Sequence, residues 1–275
     1  MKTIIITTDL SNPAANAALY GAAFANRIGV QKILLYYSIV HTYKAGNTPL
    51  SMEIQAMEKE VGLLALSKLK DQIQEIVNDQ VSIVPIVNGL PLLEGIEELI
   101  HDFKAQLVVV GSTGRGGLER FMLGSNTIQL ANSCTAPLLI VPEEASFSMV
   151  ESIVFASDHD DVDTHTPVAL LSLLTLKLPA KLLVLNVSLK GKRVSIDSIP
   201  EQYKIYDLLE AISPSYHYPK GSSVAGEIMD FAKANDAGLI ITVPRGKGFF
   251  EGLFRQSTTK QLALQTHIPL LVVKS

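Results

Sequence analysis

Residues 108–127 hold the side chains and bare backbone that could do chemistry. They read Val108-Val109-Val110-Gly111-Ser112-Thr113-Gly114, nine further residues, then Gly124-Ser125-Asn126-Thr127. Three valines running into a glycine predict a buried parallel strand ending in a turn. Gly124 and Ser125 stand just before a helical stretch at 128–133. Glycine backbone lets N–H groups come close to an anion, and a helix N-terminus adds about half a positive charge. The hydroxyls of Ser125 and Thr127 add two further donors. This combination suits the phosphates of a nucleotide.

The two common phosphate loops do not fit. No Gly-Lys-Ser or Gly-Lys-Thr follows, so the stretch is not a Walker loop, and Gly114-Arg115-Gly116 leads to Glu119 where a dinucleotide fingerprint needs glycine. The spacing Gly-x2-Gly-x9-Gly-Ser instead resembles the ATP-binding signature of the universal stress protein family. The resemblance implies that Asp9, at the end of a first strand, and a main-chain group at Tyr37, at the end of a second, hold the adenosine. It assigns the phosphates to Val110, Gly111, Thr113, Gly114, Gly124, Ser125, Asn126 and Thr127. The implied ligand is ATP, or ADP or AMP, with Mg2+, bound by a nucleotide-dependent stress-response regulator with little or no hydrolysis. Two positions depart from the family pattern. Thr7 stands where a proline is frequent, and Thr113 where a histidine is common.

These residues need a scaffold. Continuous apolar runs at 4–6, 32–37, 107–110 and 138–141 predict buried strands, and 81–87 predicts another. Pro85 in that last run lacks an N–H, which places it at a sheet edge. Between the runs lie an alanine-rich helix after Ser11 and Pro13, a long helix with Ile54, Met57, Val61 and Leu64 as its inward face, and a helix at 92–103. Strands alternating with helices predict an α/β fold with a doubly wound parallel sheet, in which ligands sit at the carboxyl ends of strands near the switch point. Asp9 and Gly111 would meet there.

The pattern then repeats. Residues 152–158 copy the first strand and its aspartate, and from Gly89 onward the two halves align at an offset of 132: Gly89 with Gly221, Leu107 with Leu239, Gly114 with Gly246, Gln129-Leu130-Ala131 with Gln261-Leu262-Ala263. Asp9 and Asp158 are 149 apart, so the second copy is shorter by 149 minus 132, or 17 residues, a loss expected in the long second helix and its loop. Two tandem domains follow, 1–143 and 150–275, each a five-stranded doubly wound sheet. The tandem form of the family implies that the halves pair within the chain as a pseudo-dimer, with a homodimer also open. In the second copy Val243, Pro244, Arg245 and Gln256 replace Gly111, Ser112, Thr113 and Gly124. That copy is therefore expected not to bind ATP in the family manner. Arg245, Lys247 and Arg255 could form a small basic patch there.

The segment Asp158-His159-Asp160-Asp161-Val162-Asp163-Thr164-His165 has carboxylates and imidazoles dense enough to bind a metal, but also suits solvated residues ahead of a helix. The prediction is no specific metal site. The remaining histidines, His41, His101, His217 and His267, show no paired metal spacing, and no nucleophile elbow is present.

Composition sets the outer bounds. The chain has 275 residues, 47% hydrophobic and 18% charged, with a net charge of −4 and one cysteine, Cys134. This is a globular composition. It disfavours nucleic-acid binding through a basic face, offers no run of membrane-spanning length, and fits a reducing cytoplasm. Cys134 is expected to be a small buried hydrophobe. Two competing readings remain: a partner-binding structural module with vestigial nucleotide sites, and an adenylating enzyme. Residues 7–11 lack the glycines an adenylating loop would carry, which disfavours the second.

Overall fold

The computed structural model describes residues 1–39, 52–113, 123–159, 161–189, 198–244 and 258–274, with the side chains of 52–55 and 198–199 left aside. The chain divides into two compact units, Met1–Ser146 and Phe147–Ser275. The sequence positions 41, 114, 115, 116, 119, 160, 245, 246, 247, 255 and 256 singled out above lie outside the described residues.

Unit 1 runs β1 (Thr3–Thr7), α1 (Asn12–Ile28), β2 (Lys32–Ser38), α2 (Met52–Gln74), β3 (Ser82–Asn88), α3 (Leu92–Phe103), β4 (Val108–Gly111), α4 (Ser125–Ser133) and β5 (Leu138–Val141). Its sheet order is β3-β2-β1-β4-β5, all parallel. The chain winds outward from β1 to β3, then crosses back to β4, so the switch point falls between β1 and β4. β3, with Pro85, is the edge strand the sequence predicted.

Local chemistry sets the helix ends. Ser11 caps α1 by accepting from the Ala14 N–H, and Pro13 occupies its first turn. Gly29 closes it in the left-handed region, φ 78°, with the Val30 N–H reaching the Ala25 carbonyl. The alanine face of α1 brings its backbone close to β4: a Cβ added to Gly21 would lie 2.9 Å from a Val109 methyl.

The inward face of α2 differs from the predicted one. Met57, Val61 and Leu64 are 67%, 59% and 65% exposed, whereas Leu66, Leu69 and Ile73 are buried. Gly62 decides the rotation. It lies against β3, where a Cβ would come within 3.1 Å of Val87, and Gly62, Leu66, Leu69 and Ile73 share one stripe. The Met57 stripe sits one residue, roughly 100°, around the helix.

Unit 2 runs β6 (Ser152–Ala156), α5 (Val162–His165), α6 (Val168–Lys177), β7 (Lys181–Leu185), β8 (Ser188–Leu189), α7 (Ser198–Leu209), β9 (Ser215–His217), β10 (Lys220–Gly221), α8 (Val224–Ala234), β11 (Ala237–Thr242), α9 (Thr258–Gln265) and β12 (Leu270–Val272). The sheet order β9-β7-β6-β11-β12 repeats that of unit 1, again parallel. Even the register is kept: Ile5 pairs with Val108, and Val154 with Ile240. The shortened second copy shows in α7, which has 12 residues against 23 in α2.

One difference was not foreseen. The offset of 149 holds from β6 to the start of β7, yet the counterpart of α1 is broken at Thr166-Pro167 into α5 and α6. Pro167 falls where α1 has Ala18, mid-helix, where proline costs about 3 kcal/mol. The small residues that seat α1 are also gone: Gly21, Ala17 and Gly111 correspond to Leu170, Thr166 and Val243.

Close packing in unit 1 gives a direct test. A Cβ on Gly95 of α3 would collide with the Tyr36 hydroxyl, which donates to Asn88 Oδ1 at 2.7 Å. Gly95→Val is expected to destabilise unit 1 by roughly 1–3 kcal/mol, read as a lower urea midpoint by circular dichroism.

Candidate functional site

Asp9 and Gly111 leave neighbouring strands at the switch point of unit 1, the position where open α/β sheets hold ligands. A distinctive turn presents Asp9. Leu10 is left-handed at φ 66°, its N–H donates to Thr8 Oγ1 at 3.0 Å, and the Ser11 N–H donates to Asp9 Oδ1 at 3.0 Å. A non-glycine residue in that region stores strain and is enriched at functional sites. Tyr37 lies within β2, one residue before its end, beside Val87 of β3.

The two glycine turns meet. The Gly124 N–H donates to the Ser112 carbonyl at 2.9 Å, and the Ser112 N–H donates to the Val141 carbonyl at 2.8 Å. The helix starts earlier than the sequence suggested, at Ser125, with Gly124 as its cap. Ser125, Asn126 and Thr127 therefore form the first turn. Gly124 brings no side chain to cap their amides, so these N–H groups are left for another acceptor. Ser125 and Asn126 are exposed, and Val110 is buried, which limits Val110 to a main-chain role. Thr113 Oγ1 donates to Glu143 Oε2 at 3.3 Å.

One expectation needs correction. Thr127 does not offer its hydroxyl to an anion: it is 2% exposed and donates to the Gly111 carbonyl at 2.8 Å, tying α4 to β4. Gly111 and Gly124 do not depend on a backbone conformation closed to other residues. Gly124 has φ −58°, open to any residue, and among the described residues Gly29 is the glycine with positive φ. Gly111 is favoured by tight spacing instead. A Cβ there would meet the Thr113 carbonyl oxygen at 3.2 Å and the Pro13 carbonyl oxygen at 3.5 Å.

Unit 2 keeps half of this arrangement. His159, the counterpart of Leu10, is left-handed at φ 53°, and its N–H donates to Ser157 Oγ at 3.2 Å, so Asp158 leaves its strand by the same kind of turn as Asp9. Thr259, the counterpart of Thr127, is buried and bonds to Thr242 Oγ1 at 2.8 Å. The acidic segment is spent on local contacts. Asp163 and Glu201 both pair with Lys204, at 3.1 and 2.8 Å, and the Val162 N–H donates to Glu201 Oε2 at 2.9 Å. Among the described residues no three His, Cys, Asp or Glu groups gather as a metal cage. Nor is any helix among them long and apolar enough to cross a membrane. Cys134, at the end of α4, is buried.

Sequence reasoning missed the left-handed turns: Leu10 is not a residue type that signals one, and His159, although of a type enriched in that region, is too weak a signal by itself. It also missed His159 as a buried group. Its Nε2 has no hydrogen-bond partner, and its ring meets Tyr218 edge-on at 5.7 Å. Burial pushes its pKa below the ordinary value of 6.5, opposed by the nearby Asp158 charge. The unfolded chain takes up a proton before folded unit 2 does, so stability is full above that value and falls as pH drops below it. A urea midpoint for unit 2 that declines from pH 7.5 to 5.5, with a shallower slope in His159→Gln, is the expected result. In unit 1, Thr127→Val should cost about 1–3 kcal/mol by orphaning the buried Gly111 carbonyl, measured by denaturation, with Thr127→Ser close to the parent.

Comparison with known proteins agrees with this architecture. The universal stress protein family model matches residues 1–142 and 209–274. A universal stress protein of Methanocaldococcus jannaschii is 32% identical over 142 residues, 51% of this chain and 81% of the relative. Among solved structures, a universal stress protein from Archaeoglobus fulgidus superposes with a TM-score of 0.77 at 18% identity, covering 99% of this chain and 98% of that one. A Pseudomonas aeruginosa protein of unknown function gives 0.64 at 13% identity, covering 100% and 92%. With the repeated parallel sheet and the glycine turns of unit 1, these matches lead to one statement: the chain belongs to the universal stress protein family.

Proposed function

We propose that unit 1 binds an adenine nucleotide, ATP or its di- or monophosphate, and that the chain acts as a nucleotide-responsive regulator in the cytoplasm. One observation carries this reading. The carboxyl end of β4 meets the uncapped first turn of α4, the Gly124 N–H donating to the Ser112 carbonyl at 2.9 Å, beside the carboxylate that follows the neighbouring strand β1. The amides of Ser125, Asn126 and Thr127 suit phosphate oxygens, helped by the dipole of α4. Asp9 accepts hydroxyl donors, which suits a ribose. Tyr37 lies where the second strand ends and would contribute main-chain contacts to the base. Mg2+ would enter with the phosphates, with Glu143 as the nearby carboxylate beside Thr113. The ligand is held rather than turned over in this reading, because main-chain amides bind phosphate without accepting a proton.

A partner-binding module is the second reading, favoured by the exposed Met57, Val61 and Leu64 on one face of α2. The two readings separate in a titration. Calorimetry of the full chain with ATP, ADP and AMP in Mg2+ should give one site. Gly124→Val should weaken it at least tenfold by placing a side chain at the helix entry, and Asp9→Ala should do so by removing the ribose acceptor. No binding of any of the three nucleotides by the unaltered chain would reject the nucleotide reading and leave the module.

A further inference from the structure

The first half of α2 leaves an apolar stripe open to solvent. Met57, Val61 and Leu64 are 67%, 59% and 65% exposed, while the neighbouring stripe of Leu66, Leu69 and Ile73 is spent on the sheet. The second copy shows that covering a sheet of this kind does not need these turns. Its α7 has 12 residues and begins at Ser198, which the offset of 132 matches to Leu66. Ile205 and Leu209 are buried there where unit 1 buries Ile73 and Val77. Large apolar side chains grouped on one side of a helix mark an interaction surface.

Spacing and charge select what covers the stripe. Met57, Val61, Leu64 and Lys68 follow one another at intervals of 4, 3 and 4 residues, the repeat with which two helices mesh along a narrow seam. Glu60 flanks the start of the stripe and Lys68 ends it. Both are exposed, and neither side chain has an ion pair or hydrogen bond. A second α2 laid alongside in the opposite direction brings Val61 opposite Leu64 and Met57 opposite the apolar stem of Lys68, each of these twice. It also sets Glu60 of each copy within reach of Lys68 of the other. Laid in the same direction, it would set Glu60 beside Glu60 and Lys68 beside Lys68, which repel. Opposed directions also offset the two helix dipoles. The stripe is therefore complementary to itself.

We infer that the occupant of this surface is a second copy of the chain, the two α2 stripes packing antiparallel about a two-fold axis. Such a contact uses the same patch on both copies, so it closes at two. A seam of one helix per copy falls short of the roughly 1,200 Å² that stable interfaces bury, which makes the association weak and concentration-dependent. It makes no use of the nucleotide reading of unit 1.

The test is sedimentation equilibrium of the full chain without nucleotide, over about two decades of concentration up to about 1 mM. The mass is expected to rise from one chain toward two. Leu64→Glu should weaken the association at least tenfold. At low salt Glu60→Lys should weaken it severalfold, and Glu60→Lys/Lys68→Glu should restore it, because the exchanged charges still meet across the seam. These positions are exposed, and unchanged circular dichroism confirms the fold of each variant. If Leu64→Glu disturbs the fold, the two charge variants decide alone. A mass of one chain throughout overturns the inference. So does a dimer indifferent to Leu64→Glu, or a loss in Glu60→Lys that the double substitution fails to recover. A chain that stays single but cosediments with phosphatidylglycerol vesicles, and loses them in Leu64→Glu, assigns the stripe to a membrane surface and also overturns it.

Discussion

The absence of one carbon atom at position 111 governs what surrounds it. Without a Cβ there, the first helix lies close on β4, its Pro13 carbonyl 3.5 Å and the Thr113 carbonyl 3.2 Å from where that carbon would be. Closure of the helix fixes the Asp9 turn at its start, and the Gly111 carbonyl anchors α4 through Thr127. Three elements thus converge on a backbone site where a methyl group fits only if the Thr113 carbonyl gives way by a few tenths of an ångström. Interiors packed to this density transmit even a one-carbon change.

The second copy is the natural control. Valine replaces that glycine, leucine and threonine replace the small residues of the helix above it, and a proline breaks the helix. Strand order, register and the aspartate turn survive all of this. The sheet is specified by apolar strands that pair regardless of the ligand end. The ligand end is specified by a few contacts between small residues, and these drift independently of the sheet.

Much of this was legible in the amino-acid order. The strands announce themselves as apolar runs, Pro85 marks an edge, Ser11 and Pro13 mark a helix start, and the internal alignment reveals the duplication. What was not legible depends on who packs against whom. Met57, Val61 and Leu64 have helical spacing as good as that of the stripe that is buried, and only the approach of Gly62 to Val87 distinguishes them. Thr127 looks like a donor for an anion in sequence, but burial turns its proton toward a carbonyl. The glycines read in sequence as bare backbone for an anion; that Gly111 also sits where its neighbours leave little room for a side chain is visible only in the fold.

The left-handed residue after each aspartate has a wider meaning. Leu10 and His159 each hold a conformation that L-residues adopt at a cost of roughly 1–2 kcal/mol. Lys104 and Asp236, matched at the offset of 132 and placed after α3 and α8, are left-handed in both halves as well. The duplicated halves thus share the course of their connecting backbone even where the side chains at the left-handed positions differ.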